Sequence, residues 1–236
     1  MTNRTVISES SPFYTFNGFV AYDSSVNRIV MSIAGTDPLK IKDWVDDLNF
    51  FKTEYPYCKM YNPAGYCEVH EGFLGTYEVA KSVVRSVISS YKSSFPTATL
   101  HLTGHSLGAI LALLTAMDLK LTMGISVDSL LTFGQPRGGD DAFADFATAT
   151  IPQTRVTHHT DPVPHLPPMR LALQPYFRHP AGEVFYPQFD SLGKHVICEG
   201  QEDSSCSDQY FLDLNLLEHL DYVGFDFIGN YMGCKF

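Results

Sequence analysis

The spacing of apolar and polar residues along the 236-residue chain predicts alternating strands and helices. GFVAY and RIVMSIAG alternate apolar and polar positions on either side of a turn at residues 24–27, which predicts two paired strands. From Val79 to Tyr91 the apolar residues recur on one face instead, which predicts a helix. The later segments continue this alternation, with strands at ATLHLTG, VDSLLTF, TRVTHH, EVFYP and KHVIC, helices at SLGAILALLTAMDLKL and AFADFA, and a loop or helix over 209–228. This order predicts a single domain over residues 1–236, an α/β fold with a mixed or mostly parallel sheet.

Residues 39–50 have the pattern of a short amphipathic helix. Ile41, Trp44, Val45 and Leu48 lie at positions i, i+3, i+4 and i+7 and form one apolar stripe, and charged residues occupy positions between them. A stripe of this kind usually packs permanently against a core, and periodicity alone favours that interpretation.

Composition and charge exclude several classes of partner. The formal net charge is −10 and the pI is about 5.2. This charge argues against nucleic acid, whose binding needs clustered Lys and Arg, and against anionic membrane surfaces. No apolar run reaches the roughly 18–20 residues of a transmembrane segment, and the N-terminal segment lacks the apolar centre of a signal peptide. No histidine spacing is typical of a metal site, and the sequence makes no prediction of oligomeric state.

Five cysteines lie at positions 58, 67, 198, 206 and 234. Cys58 and Cys67 are close in sequence, as are Cys198 and Cys206, and short loops of this kind are typical of disulfides in a secreted protein. Five free thiols in a cytosolic protein are the alternative.

Residues 104–108, GHSLG, match the G-x-S-x-G pattern of a nucleophilic serine. The pattern alone arises by chance in about one in ten chains of this length. Here, however, it follows a predicted strand and begins a predicted buried helix, as the motif requires. A Cβ at position 104 or 108 would collide with neighbouring backbone in so sharp a turn. The context therefore favours Ser106 as a nucleophile over an ordinary tight turn.

A serine nucleophile needs a base and an acid, which in this type of fold follow it in the order Ser, acid, His. His219 lies near the C-terminus, and Asp161 directly follows a predicted strand. Order along the chain favours this pair, but it leaves Asp208 and Asp213 open as the acid and His195 open as the base.

Attack on an ester produces an oxyanion that needs two donors, one after the nucleophile and one after an earlier strand. The N–H of Leu107 is the first candidate, and Thr36, which follows the strand ending at Gly35, is the second. Taken alone, Gly35-Thr36 favours an ordinary turn. Because the helix over 39–50 begins three residues after Thr36, residues 37–50 are a candidate lid that covers Ser106 and reshapes the oxyanion site on moving.

The sequence resembles the class 3 lipases, a fungal triacylglycerol lipase family that also includes feruloyl esterases. The matching segments run from about residue 16 to the end of the chain. They are IVMSIAGT, DWVDDL, VHEGFLGTY, TGHSLGA, TFGQPRGGD, RVTHHTDPVPHLPP, EVFY and EHLDYVG.

The resemblance implies an α/β-hydrolase fold, with a mainly parallel central sheet flanked by helices and a short helical lid. It implies a catalytic triad of Ser106, Asp161 and His219, with Thr36 and Leu107 as oxyanion donors. It also implies the disulfides Cys58–Cys67 and Cys198–Cys206 in a secreted protein, and neither a cofactor nor a metal.

The sequence departs from the family pattern in two places. Family members commonly have Arg where this chain has Ala34, beside the predicted lid hinge. They also begin with an N-terminal helix, often with a cysteine that pairs with the last one. We therefore expect a signal sequence and an N-terminal segment to be missing from this chain, which leaves Cys234 without a candidate partner.

These features predict a serine ester hydrolase that acts on tri-, di- or monoacylglycerols at a lipid–water interface. A feruloyl or other soluble-ester esterase and a phospholipase A1 are the alternative enzymes. A non-catalytic lipase-like binding protein is disfavoured, because such relatives usually lack a triad residue and this chain keeps all three candidates.

Overall fold

The structure of the protein is a computed structural model, and it describes residues 3–61, 65–171, 174–188, 193–210, 215–227 and 229. The strands, in chain order, are β1 (Asn3–Ser10), β2 (Thr15–Asp23), β3 (Arg28–Ile33), β4 (Lys52–Glu54), β5 (Glu68–His70), β6 (Thr99–His105), β7 (Ser129–Phe133), β8 (Thr154–His158), β9 (Arg170–Leu171), β10 (Gln174–Pro175), β11 (Glu183–Tyr186), β12 (Val196–Ile197), β13 (Asp221–Tyr222) and β14 (Phe225–Asp226). The α-helices are α1 (Ile41–Asp47), α2 (Cys58–Tyr61), α3 (Glu71–Ser94), α4 (Leu107–Met123) and α5 (Asp141–Thr150).

An eight-stranded sheet forms the centre of the fold, in the order β1-β2-β3-β6-β7-β8-β11-β12. The inner strands β3, β6, β7, β8 and β11 run parallel to one another. The outer strands β1 and β2 on one side, and β12 on the other, are antiparallel to their neighbours. The sheet is therefore mainly parallel, which confirms the fold class expected from the sequence.

Helices α3 and α4 pack on each other and on one face of this sheet. The amphipathic helix α3 lies over β1 and β2 with one apolar face buried. By contrast, α4 lies between α3 and strands β3, β6 and β7, and every residue from Gly108 to Leu119 is buried. This position explains why the sequence of α4 is apolar nearly all round.

Among the segments that differ from the elements predicted by pattern are the first sheet edge, the candidate lid and the C-terminal region. The edge strand β1 was not predicted, because its sequence is mostly polar and, among its residues from Arg4 to Ser10, only Ile7 is buried. The helix expected over 39–50 is a 3₁₀ helix at Pro38–Lys40 followed by α1, which ends at Asp47 because Leu48 is extended. Within 209–228 the described residues form a 3₁₀ helix at Leu216–Leu220 and the hairpin of β13 and β14.

Two disulfides join Cys58 to Cys67 and Cys198 to Cys206, as the resemblance implies. Cys234 lies outside the described residues.

The parallel strands bring the candidate site residues to one edge of the sheet. Gly35-Thr36 follow β3, Ser106 follows β6 and Asp161 follows β8. Since the carboxyl ends of parallel strands meet at the same edge, residues far apart in sequence become neighbours there.

Candidate active site

Ser106 occupies a sharp turn between β6 and α4, with φ 58° and ψ −129°. Residues other than glycine rarely adopt a positive φ outside such turns. The two flanking glycines are needed for close approach: a Cβ on Gly104 would lie 2.2 Å from the carbonyl oxygen of Gly108, and one on Gly108 would lie 2.2 Å from that of Ile33. The strand, turn and helix predicted from the sequence are therefore present, and both glycines are required for the reason given there.

The turn places Ser106 at the N-terminus of α4, where Leu107 is the first helical residue. The N–H groups of a first helical turn have no partner inside the helix, and the helix dipole adds partial positive charge there. Ser106 is fully buried, and its Oγ has no hydrogen-bond partner among the described residues. The hydroxyl is thus held next to backbone donors and is not committed to another acceptor.

His219 and Asp161 form a buried pair at the same edge of the sheet. Nδ1 of His219 lies 2.8 Å from Oδ2 of Asp161, and both side chains are almost fully buried. Because a carboxylate only accepts hydrogen bonds, the proton of the neutral imidazole lies on Nδ1 and Nε2 is left with a lone pair. Nε2 has no hydrogen-bond partner among the described residues, so it is available as a base.

Three donors converge on the carboxylate of Asp161. Oδ2 accepts from His219 and from the hydroxyl of Tyr222, and Oδ1 accepts the backbone N–H of Val163 at 2.8 Å. Burial by itself raises the pKa of Asp161, but His219 and these hydrogen bonds outweigh it and hold the pKa below its usual value. Asp161 therefore carries its charge at neutral pH and can stabilise a protonated His219.

Two residues at this site were not singled out from the sequence. Tyr222 is one, and its burial beside Asp161 raises the pKa of its hydroxyl well above the usual value, so it remains a donor. His105 is the other: burial lowers its pKa to about 3, and its neutral ring donates from Nε2 to the carbonyl oxygen of His219 at 2.7 Å. Their positions inside GHSLG and EHLDYVG were visible, but only the fold shows which atoms they contact.

The loops after β3 and β7 fit closely around these side chains. Gly35 packs against the nucleophile, since a Cβ there would lie 3.1 Å from Cβ of Ser106 and 2.6 Å from the carbonyl oxygen of His105. Thr36, the second candidate oxyanion donor, directly follows Gly35 in the chain. Gly134 has φ 55°, and a Cβ on it would lie 2.8 Å from the ring of His219 and 3.0 Å from Oδ2 of Asp161.

The apolar stripe of the candidate lid faces the protein rather than solvent. Ile41 is buried, and Trp44, Val45 and Leu48 are half-buried. The ring of Trp44 stacks on Phe73 with centroids 6.5 Å apart. Trp44, Leu48 and Phe73 also line a cavity of about 240 Å³ that reaches Leu107, the candidate oxyanion donor. The stripe therefore borders a cavity that also touches the first residue of α4.

The alternative triad residues have other surroundings. Asp208 accepts a hydrogen bond from Nη2 of Arg137 at 2.9 Å, and His195 is exposed beside Tyr186. Asp213 lies outside the described residues. The structure thus brings Asp161, and not Asp208, to His219.

One group of possible metal ligands occurs among the described residues, formed by Cys198, Asp203 and Cys206. The two sulfur atoms are joined in a disulfide and offer no thiolate. Among the described helices, none combines the length and the apolar character that crossing a membrane requires.

Comparison with known proteins links this geometry to one family. The family model described as "Lipase (class 3)" matches residues 30–171. A protein of Rhizomucor miehei named "Lipase" is 35% identical over 220 residues, which cover 91% of this chain and 57% of that protein. The "Secreted mono- and diacylglycerol lipase 1" of Fusarium solani is 31% identical over 210 residues, which cover 86% of this chain and 59% of that protein. The chain therefore spans less than three fifths of the length of these relatives.

Solved structures show the same architecture. The native propeptide complex of the Rhizomucor miehei lipase superposes with a TM-score of 0.80 and 34% sequence identity. The match covers 94% of this chain and 70% of that one.

Proposed function

This chain belongs to the class 3 lipase family, and we propose that it hydrolyses carboxylic esters of lipids with Ser106, His219 and Asp161 as its catalytic triad. The observation that carries the proposal is the combination at one sheet edge of a serine in a strained turn with a buried His–Asp pair. The unpartnered atoms, Oγ of Ser106 and Nε2 of His219, are the two between which a proton must pass.

The reaction follows the order of an acyl-enzyme mechanism. Oγ of Ser106 attacks the ester carbonyl while Nε2 of His219 removes the hydroxyl proton, and Asp161 stabilises the imidazolium. The imidazolium then gives that proton to the leaving alcohol, and the acyl group remains on Ser106. Water attacks the acyl-enzyme with His219 again as base, which releases the carboxylic acid and restores the serine.

The oxyanion of each tetrahedral intermediate lies between the N–H of Leu107 and Thr36. Two features support this assignment: Leu107 begins α4, and Gly35 packs directly against Ser106. Loss of one such donor typically costs about 3–4 kcal/mol of transition-state stabilisation.

An acylglycerol is the substrate favoured over a soluble ester. The support is the cavity of about 240 Å³ beside Leu107, which has Trp44, Leu48 and Phe73 in its lining. An acyl chain gains about 0.8 kcal/mol for each methylene that it buries in such surroundings. Feruloyl or other soluble esters and phospholipids are the alternative substrates, and hydrolysis rates on each class distinguish them from acylglycerols.

Residues 37–50 act as a lid within one hydrolase domain over residues 1–236. Turning out one buried and three half-buried side chains costs roughly 4–8 kcal/mol in water. A lipid surface accepts the same side chains, so it favours the open state. Backbone anchors at the C-terminal end of this segment support a hinge there: His70 Nε2 lies 2.6 Å from the carbonyl oxygen of Asn49, and Glu71 N–H donates to that of Phe51 at 3.0 Å.

The protein acts outside the cell. The two disulfides support this location, because such bonds persist in oxidising compartments. A relative whose name includes the word secreted supports it as well.

The triad is tested by comparing wild type with Ser106→Ala on a dissolved short ester. A loss of about 10⁵–10⁶ in kcat is expected if the three residues act as a unit. A fluorophosphonate should label wild type once, at Ser106 by peptide mass, and should not label the variant. An alanine variant that keeps more than a few per cent of the activity contradicts the assignment.

Substrate class and lid are tested together by rates on a dissolved short ester, triolein emulsion, phosphatidylcholine vesicles and methyl ferulate. We expect the highest turnover on the emulsion, with Trp44→Ser reducing the emulsion rate more than the dissolved-ester rate. Lys42→Ser, on the exposed charged side of α1, is the matched control. Equal losses on both substrates refute the lid, and a preference for methyl ferulate or phosphatidylcholine refutes the acylglycerol assignment.

A further inference from the structure

Glu218, the residue directly before the candidate base, is a buried carboxylate with two histidines against it. Only 3% of Glu218 is exposed. Its Oε2 lies 3.4 Å from Nδ1 of His158, and its Oε1 lies 3.3 Å from Nδ1 of His159. A buried carboxylate is strongly disfavoured as an ion unless a positive group faces it. Among the described residues, the imidazoles of His158 and His159 are the groups that can face this carboxylate with a positive charge.

His158 has hydrogen-bond acceptors at both ring nitrogens. Nδ1 faces Glu218 twice, through its backbone carbonyl oxygen at 3.2 Å and its carboxylate. Nε2 lies 3.0 Å from the carbonyl oxygen of Gln188. A neutral imidazole donates from one nitrogen only, so it would turn a lone pair towards an acceptor at the other. An imidazolium donates from both, and it also neutralises Glu218.

These two residues connect the segments that carry the acid and the base. His158 ends β8 and begins a turn in which Asp161 N–H donates to its carbonyl oxygen at 3.0 Å. Glu218 and His219 are neighbours in the 3₁₀ helix at Leu216–Leu220. Just before that helix, the N–H of Asn215 donates to the carbonyl oxygen of Thr160 at 2.9 Å. The pair therefore lies beside the contact between His219 and Asp161 and spans the same two segments.

We propose that His158 carries a proton on both ring nitrogens and forms a buried ion pair with Glu218, and that this pair positions His219 on Asp161. Glu218 and His158 are positioning residues: they act through the segments and do not touch the reacting atoms. This role rests on the proposed function, whereas the protonation state of His158 does not.

Several other titratable groups surround the pair. His159 faces Glu218 from the same turn but is partly exposed, with 28% of its side chain accessible, and its ring also contacts Tyr210. From the C-terminal hairpin, the ring of Tyr222 packs against His158 with centroids 5.7 Å apart. Asp161 and His219 complete the surroundings, and they are hydrogen-bonded to each other. His158 is thus the more buried of the two possible partners for Glu218.

Nitrogen NMR of the histidine rings tests the proton directly. At pH 7.5 the wild-type ring of His158 should show two protonated nitrogens, and in Glu218→Gln it should show one. Through-bond correlations in uniformly labelled protein assign the signals, and loss of a signal in His158→Gln checks them. A wild-type ring with a single protonated nitrogen overturns the proposal, including the case in which the proton lies on Glu218.

Kinetics on a dissolved ester test the positioning role. Glu218→Gln should lower kcat by about 10-fold to 100-fold, since small displacements of a catalytic group have effects of this size. KM should change less than threefold, and Glu218→Asp, which keeps the charge, should recover part of kcat. The loss should shrink at any pH where NMR shows that wild-type His158 has given up its second proton. Glu54→Gln, which breaks an exposed ion pair with Lys59, is the matched control and should leave kcat unchanged.

A Glu218→Gln protein that folds and keeps kcat within twofold of wild type overturns the positioning role. If that variant does not fold, the wild-type NMR spectrum still tests the protonation of His158, and the kcat of Glu218→Asp still tests the positioning role. A wild type without esterase activity would refute the proposed function instead and leave the NMR result standing.

Discussion

Tyr222→Phe isolates one hydrogen bond of the candidate triad, because it removes a hydroxyl and leaves the ring in place. That hydroxyl donates to Oδ2 of Asp161, the same oxygen that accepts from His219. Tyr222 is 3% exposed, so water cannot replace the missing donor without a rearrangement. Asp161 keeps its bonds from His219 and from the N–H of Val163.

The expected magnitude follows from the charge on the acceptor. A buried hydrogen bond to a charged group contributes about 1.5–3 kcal/mol to stability. For a chain of this length, 1 kcal/mol shifts Tm by roughly 2–4 °C, so the variant should melt about 3–12 °C lower at pH 7. The kcat on a dissolved ester should fall only about 3-fold to 10-fold, because two bonds still orient Asp161.

The pH dependence of this loss gives a second, independent check. The pKa of Asp161 is held below its usual value of 3.8, and Tyr222 is one of the causes. A carboxyl group with a lowered pKa contributes stability above its unfolded pKa and loses that contribution as pH falls through its folded pKa. The Tm difference between the proteins should therefore be the same at pH 7 and pH 5 and should decline only at more acidic pH.

Scanning calorimetry across pH and steady-state rates on the ester are the measurements. Tyr91→Phe is the control: it removes a buried hydroxyl that donates to the carbonyl oxygen of Val20, far from the site, and should lower Tm without lowering kcat. An unchanged Tm of Tyr222→Phe at pH 7, or a Tm difference that already shrinks between pH 7 and pH 5, contradicts a stabilising bond from Tyr222 to ionised Asp161.

Three further changes test the surrounding structure. Burial and the neighbouring Glu202 raise the pKa of Asp208 well above its usual value of 3.8. The folded protein therefore loses stability as pH rises from that usual value towards the raised pKa, and the full loss is present at alkaline pH. Asp208→Asn should therefore raise Tm at pH 8.5 more than at pH 5, and equal shifts in a fluorescence melt contradict this. Replacing Cys198 and Cys206 by Ser opens a loop with a sequence separation of 8 and should cost about 2–3 kcal/mol by urea unfolding; an unchanged midpoint speaks against it. Gly104→Ala places a Cβ 2.2 Å from a backbone oxygen and should abolish soluble expression, while recovery of active protein shows that the turn can relax.

The local features of this chain were predictable because local chemistry produces them. The turn at Ser106 follows from two glycines around a serine between an alternating strand and an apolar helix, and the structure contains that turn. Helix α3 follows from apolar residues that recur on one face. Strand β1 was not predicted, because an edge strand with one buried apolar side chain shows little alternation of apolar and polar residues. The end of α1 was also misplaced, because Leu48 continues the apolar stripe although its backbone is already extended.

Only the tertiary structure shows which acidic residue lies against the candidate base. Order along the chain allowed Asp161, Asp208 or Asp213 as the acid, and the resemblance to a family, not the spacing, selected Asp161. In the fold Asp161 meets His219 across 58 residues of sequence, whereas Asp208 meets Arg137. The contacts of Tyr222 and His105 with the pair have no periodic signature at all, because they depend on which ring atoms face which oxygens. The sequence by itself therefore determined the inner strands, the main helices and the turn at Ser106, because short-range sterics and burial dictate them. The packing of distant segments at one sheet edge decided which candidate acid meets the candidate base and which groups hold them.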